Sequence, residues 1–228
     1  MPNPSSLYRV RIWDLPTRVF HWAIALCVLG LAVTGTLGGS AMVFHFRFGY
    51  ALLTLLLFRL VWGLIGGHWS RFRSFVFGPR AVFAYLRGRA PENHAVGHTP
   101  LGALSVWALL AFLILQVATG LISDDEISTT GPLTHLVSNA AVALGSQYHT
   151  RIGKWVLLAL VLLHVAAIIY YARRRQGLVA AMLHGDKQLP APAAAARDDA
   201  RSRLAAFLIF CLCAAAVFWL SGLAPAGF

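Results

Sequence analysis

Five stretches of this chain are each apolar enough, and long enough, to cross a lipid bilayer. A spanning helix needs ~20 predominantly apolar residues, and approximately 20–38, 48–67, 101–122, 153–172 and 204–223 meet that requirement. Composition agrees: of 228 residues, 58% are hydrophobic and 12% charged, whereas soluble domains are nearer half and a quarter. The expected fold is an all-α integral membrane protein, with four transmembrane helices forming a bundle and a fifth added at the C-terminal end.

The net charge of +11 is confined to short segments between the apolar runs. That distribution sets membrane topology and excludes the nucleic-acid partner that a basic balance elsewhere suggests. Arg9, Arg11 and Arg18 precede the first run. Arg71, Arg73, Arg80, Arg87 and Arg89 fill the loop 68–100, and Arg173, Arg174, Arg175, Lys187, Arg197, Arg201 and Arg203 follow the fourth run. The loop 39–47 has only Arg47, and the loop 123–152 opens on Asp124, Asp125 and Glu126. The positive-inside rule then puts the N-terminus in the cytoplasm and the C-terminus outside. Residues 189–203 (LPAPAAAARDDARSR) read as a mobile or loosely helical linker. The expected organisation is a four-helix membrane domain over 1–187, a cytoplasmic linker over 188–203 and a fifth transmembrane helix over 204–228. Residues 176–186 suit a short amphipathic helix on the inner surface. Cys27, Cys211 and Cys213 lie in apolar runs without a C-x-x-C or C-x-x-C-H pattern, so they read as core or lipid-facing thiols. The first run has full spanning length and no small-residue cleavage site, so no cleavable signal is expected.

Nine histidines are present, and four fall in or beside the runs at telling depths. His21 is at the cytoplasmic start of the first helix and His45 at the outer start of the second. His149 is at the outer start of the fourth, with His164 in its cytoplasmic half. His149 and His164 are ~22 Å apart along an ideal helix and ~60° apart in azimuth. The topology therefore pairs His21 with His164, and His45 with His149. Two imidazole pairs at two depths are what two bis-histidine b-type haems require. A zinc or copper site is the poorer match, because its ligands converge at one depth. Hydrogen bonding between helices is the plain alternative for any single intramembrane histidine.

Two of the four open the same cassette, HFRFG at 45–49 and HTRIG at 149–153. The glycine four residues on (Gly49, Gly153) lies over the histidine on an α-helix and leaves room for a flat macrocycle. Arg47 and Arg151 have two readings, contact with haem propionates or snorkelling to headgroups. Arg59, in LLLFRLVWG, lies ~21 Å below His45. It neutralises a propionate of the inner haem, steadies the bundle there, or snorkels to the cytoplasmic surface.

Taken together, VRIWDLPTRVFHW (10–22), FRLVWG (58–63), SRFRSF (70–75), GHTPLGA (97–103) and HTRIG…LLHVAA (149–167) resemble the bacterial cytochrome b561 family. The nearest branch is the b-type cytochrome subunit that accompanies Ni,Fe-hydrogenases and periplasmic c-type cytochromes. The resemblance covers roughly 8–187 and implies a four-helix core with two haem b groups. It also implies electron transfer across the bacterial inner membrane, between a periplasmic c-type cytochrome or hydrogenase and quinone. The family's four ligands fall on His21, His45, His149 and His164. Its usual spacing between the two histidines of the fourth helix is 14; here it is 15, which points to a local bulge or a rotated ligand. Position 68 is commonly aromatic in the family, so His68 is not expected to be a ligand. His98 reads as a helix entrance or as a contact to haem or quinone.

The resulting expectation is a transmembrane electron conduit, a quinone-linked oxidoreductase subunit in contact with membrane lipid. Six-coordinate iron leaves no open position and favours electron transfer over substrate binding. Trp13, Asp14 and Arg18 are candidates for a quinone site at the inner mouth; the alternative is an interfacial belt with Asp14 capping the first helix. Two rivals stand beside the conduit. One is oxidation of superoxide, steered by Arg47, Arg151 and Lys154. The other is a membrane anchor for a periplasmic enzyme. The acidic run 124–126 either docks a basic cytochrome or is a solvated loop. Whether copies associate into a homo-oligomer is left open.

Overall fold

The structure, a computed structural model, describes residues 7–89, 91, 96–127, 129–174 and 176–223. His94, Arg175 and the C-terminal end, which the sequence placed in loops or on one side of the membrane, lie outside the described residues. In chain order the elements are β1 (Tyr8–Arg11), α1 (Leu15–Leu37), α2 (Met42–Ile65), α3 (Pro79–Leu86), α4 (Pro100–Leu121), α5 (Asn139–Gln147), a π-helical turn (Tyr148–Gly153), α6 (Lys154–Arg173), α7 (Leu178–His184), β2 (Asp186–Leu189) and α8 (Ala200–Ser221). Five helical stretches are long and apolar enough to cross a membrane: α1, α2 with the turn before it, α4, the stretch Asn139–Arg173, and α8. The chain is a multi-pass, all-α membrane protein apart from one small β-ribbon.

Helix ends differ from the apolar runs for local reasons. Asp14 caps α1 by accepting the Thr17 N–H at 2.8 Å, and Pro16 fits the first turn because it has no N–H to satisfy there. α1 thus starts five residues before the apolar run at 20. Gly38 and Gly39, both at positive φ (63° and 53°), turn the chain into α2, so His45 lies inside that helix. The fourth span begins at Asn139, capped by Ser138. The segment NAAVALGSQYHTRIG is helical but carries too little apolar bulk to extend the run at 153, so His149 is also inside a helix. α7 occupies the surface stretch expected at 176–186.

The chain forms two compact units. The first comprises Met1–His21, Arg59–Trp107 and Leu163–Phe207. In it, β1 pairs antiparallel with β2, Tyr8 opposite Leu189 and Arg11 opposite Asp186. Asp186 takes Arg9 at 2.6 Å and Arg11 at 2.7 Å. The ribbon covers a small core of Val10, Ile12, Trp13, Ala181 and Leu189. The linker is tied down rather than loose. The Trp69 indole donates to the Ala194 carbonyl (2.7 Å), and the Ala196 N–H donates to the Arg11 carbonyl (2.7 Å). Asp198 accepts from Arg11, Arg203 and the Leu15 N–H, each at 3.0 Å. Burial alone would raise the Asp198 carboxyl, but Arg203, the Leu15 N–H and Arg11 outweigh it and hold the group below its ordinary value.

Asp14 is fully buried. Besides the Thr17 N–H, it accepts the Ser70 hydroxyl at 2.6 Å and the Trp62 indole N–H at 3.4 Å. This joins the start of α1 to the end of α2 and the loop beyond it. Gly67 is required for the approach: a Cβ there would lie 2.5 Å from Asp14 Oδ2. Arg59 does not snorkel. It is 4% exposed, donates to the Ser70 carbonyl at 2.9 Å and faces the Phe72 ring at 4.7 Å.

The second unit comprises Trp22–Phe58, Ala108–Leu162 and Leu208–Phe228. α8 meets α2 there through Phe210 and Phe58, edge to face at 6.3 Å. The acidic run after α4 closes a tight turn. Asp124 Oδ1 accepts the Glu126 N–H, and Asp125 Oδ1 accepts the Ile127 and Thr129 N–H groups. Two of the three acids are therefore engaged locally.

Candidate functional site

Each unit brings together one pair of the four histidines. In the first, His21 of α1 and His164 of α6 have ring centroids 6.4 Å apart, with the planes at 52°. In the second, His45 of α2 and His149 of the π turn are 6.2 Å apart at 90°. Two imidazoles on opposite sides of one metal, each nitrogen ~2 Å from it, have centroids ~6 Å apart. Among the described residues no three His, Cys, Asp or Glu side chains converge to hold a metal ion. The histidines occur in twos, the number that a haem takes.

The second pair is oriented through its other ring nitrogens. His149 Nδ1 lies 2.8 Å from the Gln116 carbonyl oxygen, so Nδ1 carries the proton and Nε2 keeps its lone pair for a ligand. His45 Nδ1 lies 3.1 Å from the Thr34 hydroxyl, which also leaves Nε2 available. Two glycines make room for these rings. A Cβ on Gly120 of α4 would lie 2.7 Å from His149 Cε1, and one on Gly35 of α1 would lie 3.0 Å from His45 Cε1. Neither glycine has a sequence spacing to its histidine that would have revealed it.

The two cassettes are not equivalent. Gly49 has open space beside it: among the described residues, a Cβ built there meets nothing within 4 Å outside its own stretch of helix. This is a cradle one turn from His45. Gly153 is buried against the Gln116 side chain and the Tyr148 ring. The π turn explains the difference. It widens the helix across Tyr148–Gly153, so the fourth residue no longer stands over the first. It also takes up one residue locally, in the segment where the fifteen-residue spacing called for a bulge. Arg47 and Arg151 are both exposed, and Arg47 packs over Phe44.

Of the residues weighed for quinone, Trp13 is buried against His98, centroids 4.7 Å apart. Asp14 is the helix cap described above, and Arg18 donates to the Leu183 carbonyl at 2.6 Å. His98 is enclosed further by Phe75, 4.4 Å away.

A family model described as prokaryotic cytochrome b561 matches residues 12–185, three quarters of the sequence. The chain belongs to the prokaryotic cytochrome b561 family. Cytochromes b561 are membrane electron-transfer proteins that carry haem b, and the paired histidines are suited to that cofactor. Similar proteins include a probable Ni/Fe-hydrogenase B-type cytochrome subunit of Bradyrhizobium diazoefficiens, 25% identical over 214 residues, covering 78% of this chain and 86% of that protein. Its namesake in Azotobacter chroococcum is 27% identical, covering 77% and 87%. The probable Ni/Fe-hydrogenase 1 B-type cytochrome subunit of Escherichia coli K12 is 21% identical, covering 68% and 80%.

In this cytochrome b561 the Gly120–His149 approach gives a direct test. Gly120→Ala forces the His149 imidazole from its place; for a residue that binds a metal, disturbing such support typically costs about 10–100-fold in affinity. The expected result is a lowered haem-to-protein ratio after dialysis against apomyoglobin.

Proposed function

We propose that the chain is a di-haem b cytochrome. It carries electrons across the bacterial inner membrane between a periplasmic partner and the quinone pool. The observation that carries this reading is the repeated pair, 6.4 Å and 6.2 Å between ring centroids, in two separate units. A haem held at each would supply a reversible one-electron couple. The protein's own work is to hold the imidazoles. Gln116 and Thr34 fix His149 and His45, Gly35 and Gly120 admit their rings, and Gly49 leaves a flank open. His21 with His164, and His45 with His149, would hold the two haems.

The charge distribution supports a cytoplasmic N-terminus, with His21 and His164 in the inner half and His45 and His149 in the outer half. Several similar proteins are named as hydrogenase cytochrome subunits, which favours a hydrogenase as the periplasmic partner over a c-type cytochrome. Engagement of Asp124 and Asp125 within their own turn points the same way, because it weakens the case for an acidic dock. With Asp14 and Trp13 committed to protein contacts, the quinone site at the inner mouth is left to the surface around Arg18.

The test is a pyridine haemochrome assay with protein quantified independently. It is joined to anaerobic reduction of the purified protein by a quinol. Two b haems per chain, both reducible, are expected. One haem or none in folded protein sinks the proposal.

A further inference from the structure

A guanidinium buried without an anion is strongly unfavourable. Arg59 is 4% exposed, and no carboxylate among the described residues lies within ion-pair distance of it. Asp14 is near enough to favour its charge, and Ser70 bridges the two, its hydroxyl donating to Asp14 while its carbonyl accepts from Arg59. The remaining surroundings are aromatic: Phe72 at 4.7 Å, Phe75 at 5.9 Å and Phe20 at 6.0 Å. Phe20 is the chain neighbour of His21.

His98 packs on the same Phe75 ring. Its Nδ1 is buried and has no hydrogen-bond partner among the described residues. Burial, with the positive charges of Arg59 and Lys187 added, pushes its pKa down to about 3. The ring is therefore neutral in the cell. It offers one N–H and no charge of its own. Two buried donor groups thus share one aromatic wall beside the residue that precedes His21. Asp14 is taken up by Thr17, Ser70 and Trp62, and a further anion with oxygen acceptors is what these two donors would receive.

We infer that Arg59 and His98 together receive a propionate carboxylate of the haem held by His21 and His164. The inference rests on the di-haem reading above. The guanidinium supplies charge and paired donors, and the imidazole adds a neutral donor where a second cation would be repelled. Both are positioning residues, since neither touches the iron. Neutralising a propionate raises the potential of the haem that bears it, because the extra positive charge of the ferric state is then less welcome.

The experiment is a spectroelectrochemical titration of purified holoprotein, after haemochrome analysis has counted its haems. With two haems retained, Arg59→Gln is expected to lower one midpoint and leave the other in place. The ferric-to-ferrous ratio of the affected haem at fixed potential rises about tenfold or more, ~59 mV per tenfold for one electron. His98→Leu is expected to lower the same midpoint by less, and Arg59→Lys to restore most of the loss. Two unmoved midpoints in either variant overturn the assignment and leave Arg59 and His98 as helix struts. Where Arg59→Gln fails to fold, His98→Leu decides alone by the same readout. A wild-type count other than two fails the di-haem reading instead and is seen before any titration.

Discussion

His149→Ala is expected to give a protein that folds, inserts and holds one haem of two. The imidazole is placed from three sides. Gln116 holds Nδ1 at 2.8 Å, Gly120 clears its edge, and His45 faces it at 6.2 Å. On the di-haem proposal, alanine removes the imidazole that faces His45. The other pair, His21 and His164, lies in a different compact unit. Haemochrome analysis should therefore give about half the wild-type haem per chain, with the surviving haem keeping its redox midpoint. His45→Ala should give the same result, and the double variant no more than either alone, because residues acting on one centre are not additive. Loss of both haems from His149→Ala in folded protein would contradict two independent sites.

Asp14→Ala is expected to be the most damaging change at the start of α1. The carboxylate is fully buried and accepts from the Thr17 N–H, the Ser70 hydroxyl and the Trp62 indole. Loss of a helix cap costs about 1 kcal/mol, and each stranded buried donor about 1–3 kcal/mol. The sum is roughly 3–7 kcal/mol, enough to lower the melting temperature in detergent markedly. Asp14→Asn keeps an acceptor oxygen and should cost less than half as much. The same pair of variants separates a cap from a quinone ligand. A cap predicts that Asp14→Asn keeps quinol-driven haem reduction at moderate temperature. A residue that donates a proton to quinone predicts its loss in a stable protein.

Much of this was legible in the sequence because a bilayer imposes a simple rule on composition. The five spans and the pairing of His21 with His164 and His45 with His149 followed from run lengths, loop charge and helical rise. What was hidden depends on contacts distant in sequence. Gly35 and Gly120 make room for histidines on other helices, so no spacing betrays them. The ribbon joins Arg9 to Asp186 across 177 positions, and its strands are four residues each. The early start of the fourth span escaped notice because alanine, glycine and serine support a helix without adding hydropathy. Gly153 was misleading for a geometric reason, since the same five-letter cassette means one thing on an α-helix and another on a π turn.

The ribbon also bears on how such a chain comes to be assembled. Translation proceeds at about 5–20 residues per second, so β1 leaves the ribosome ~10–35 s before the segment that pairs with it. All four histidines precede β2 in the chain, and so does every glycine that shapes their surroundings. Both histidine pairs are therefore complete in the nascent chain while the two strands of the ribbon are still apart. Pairing of Arg9 and Arg11 with Asp186, and of Asp198 with the start of α1, has to wait for the later segment.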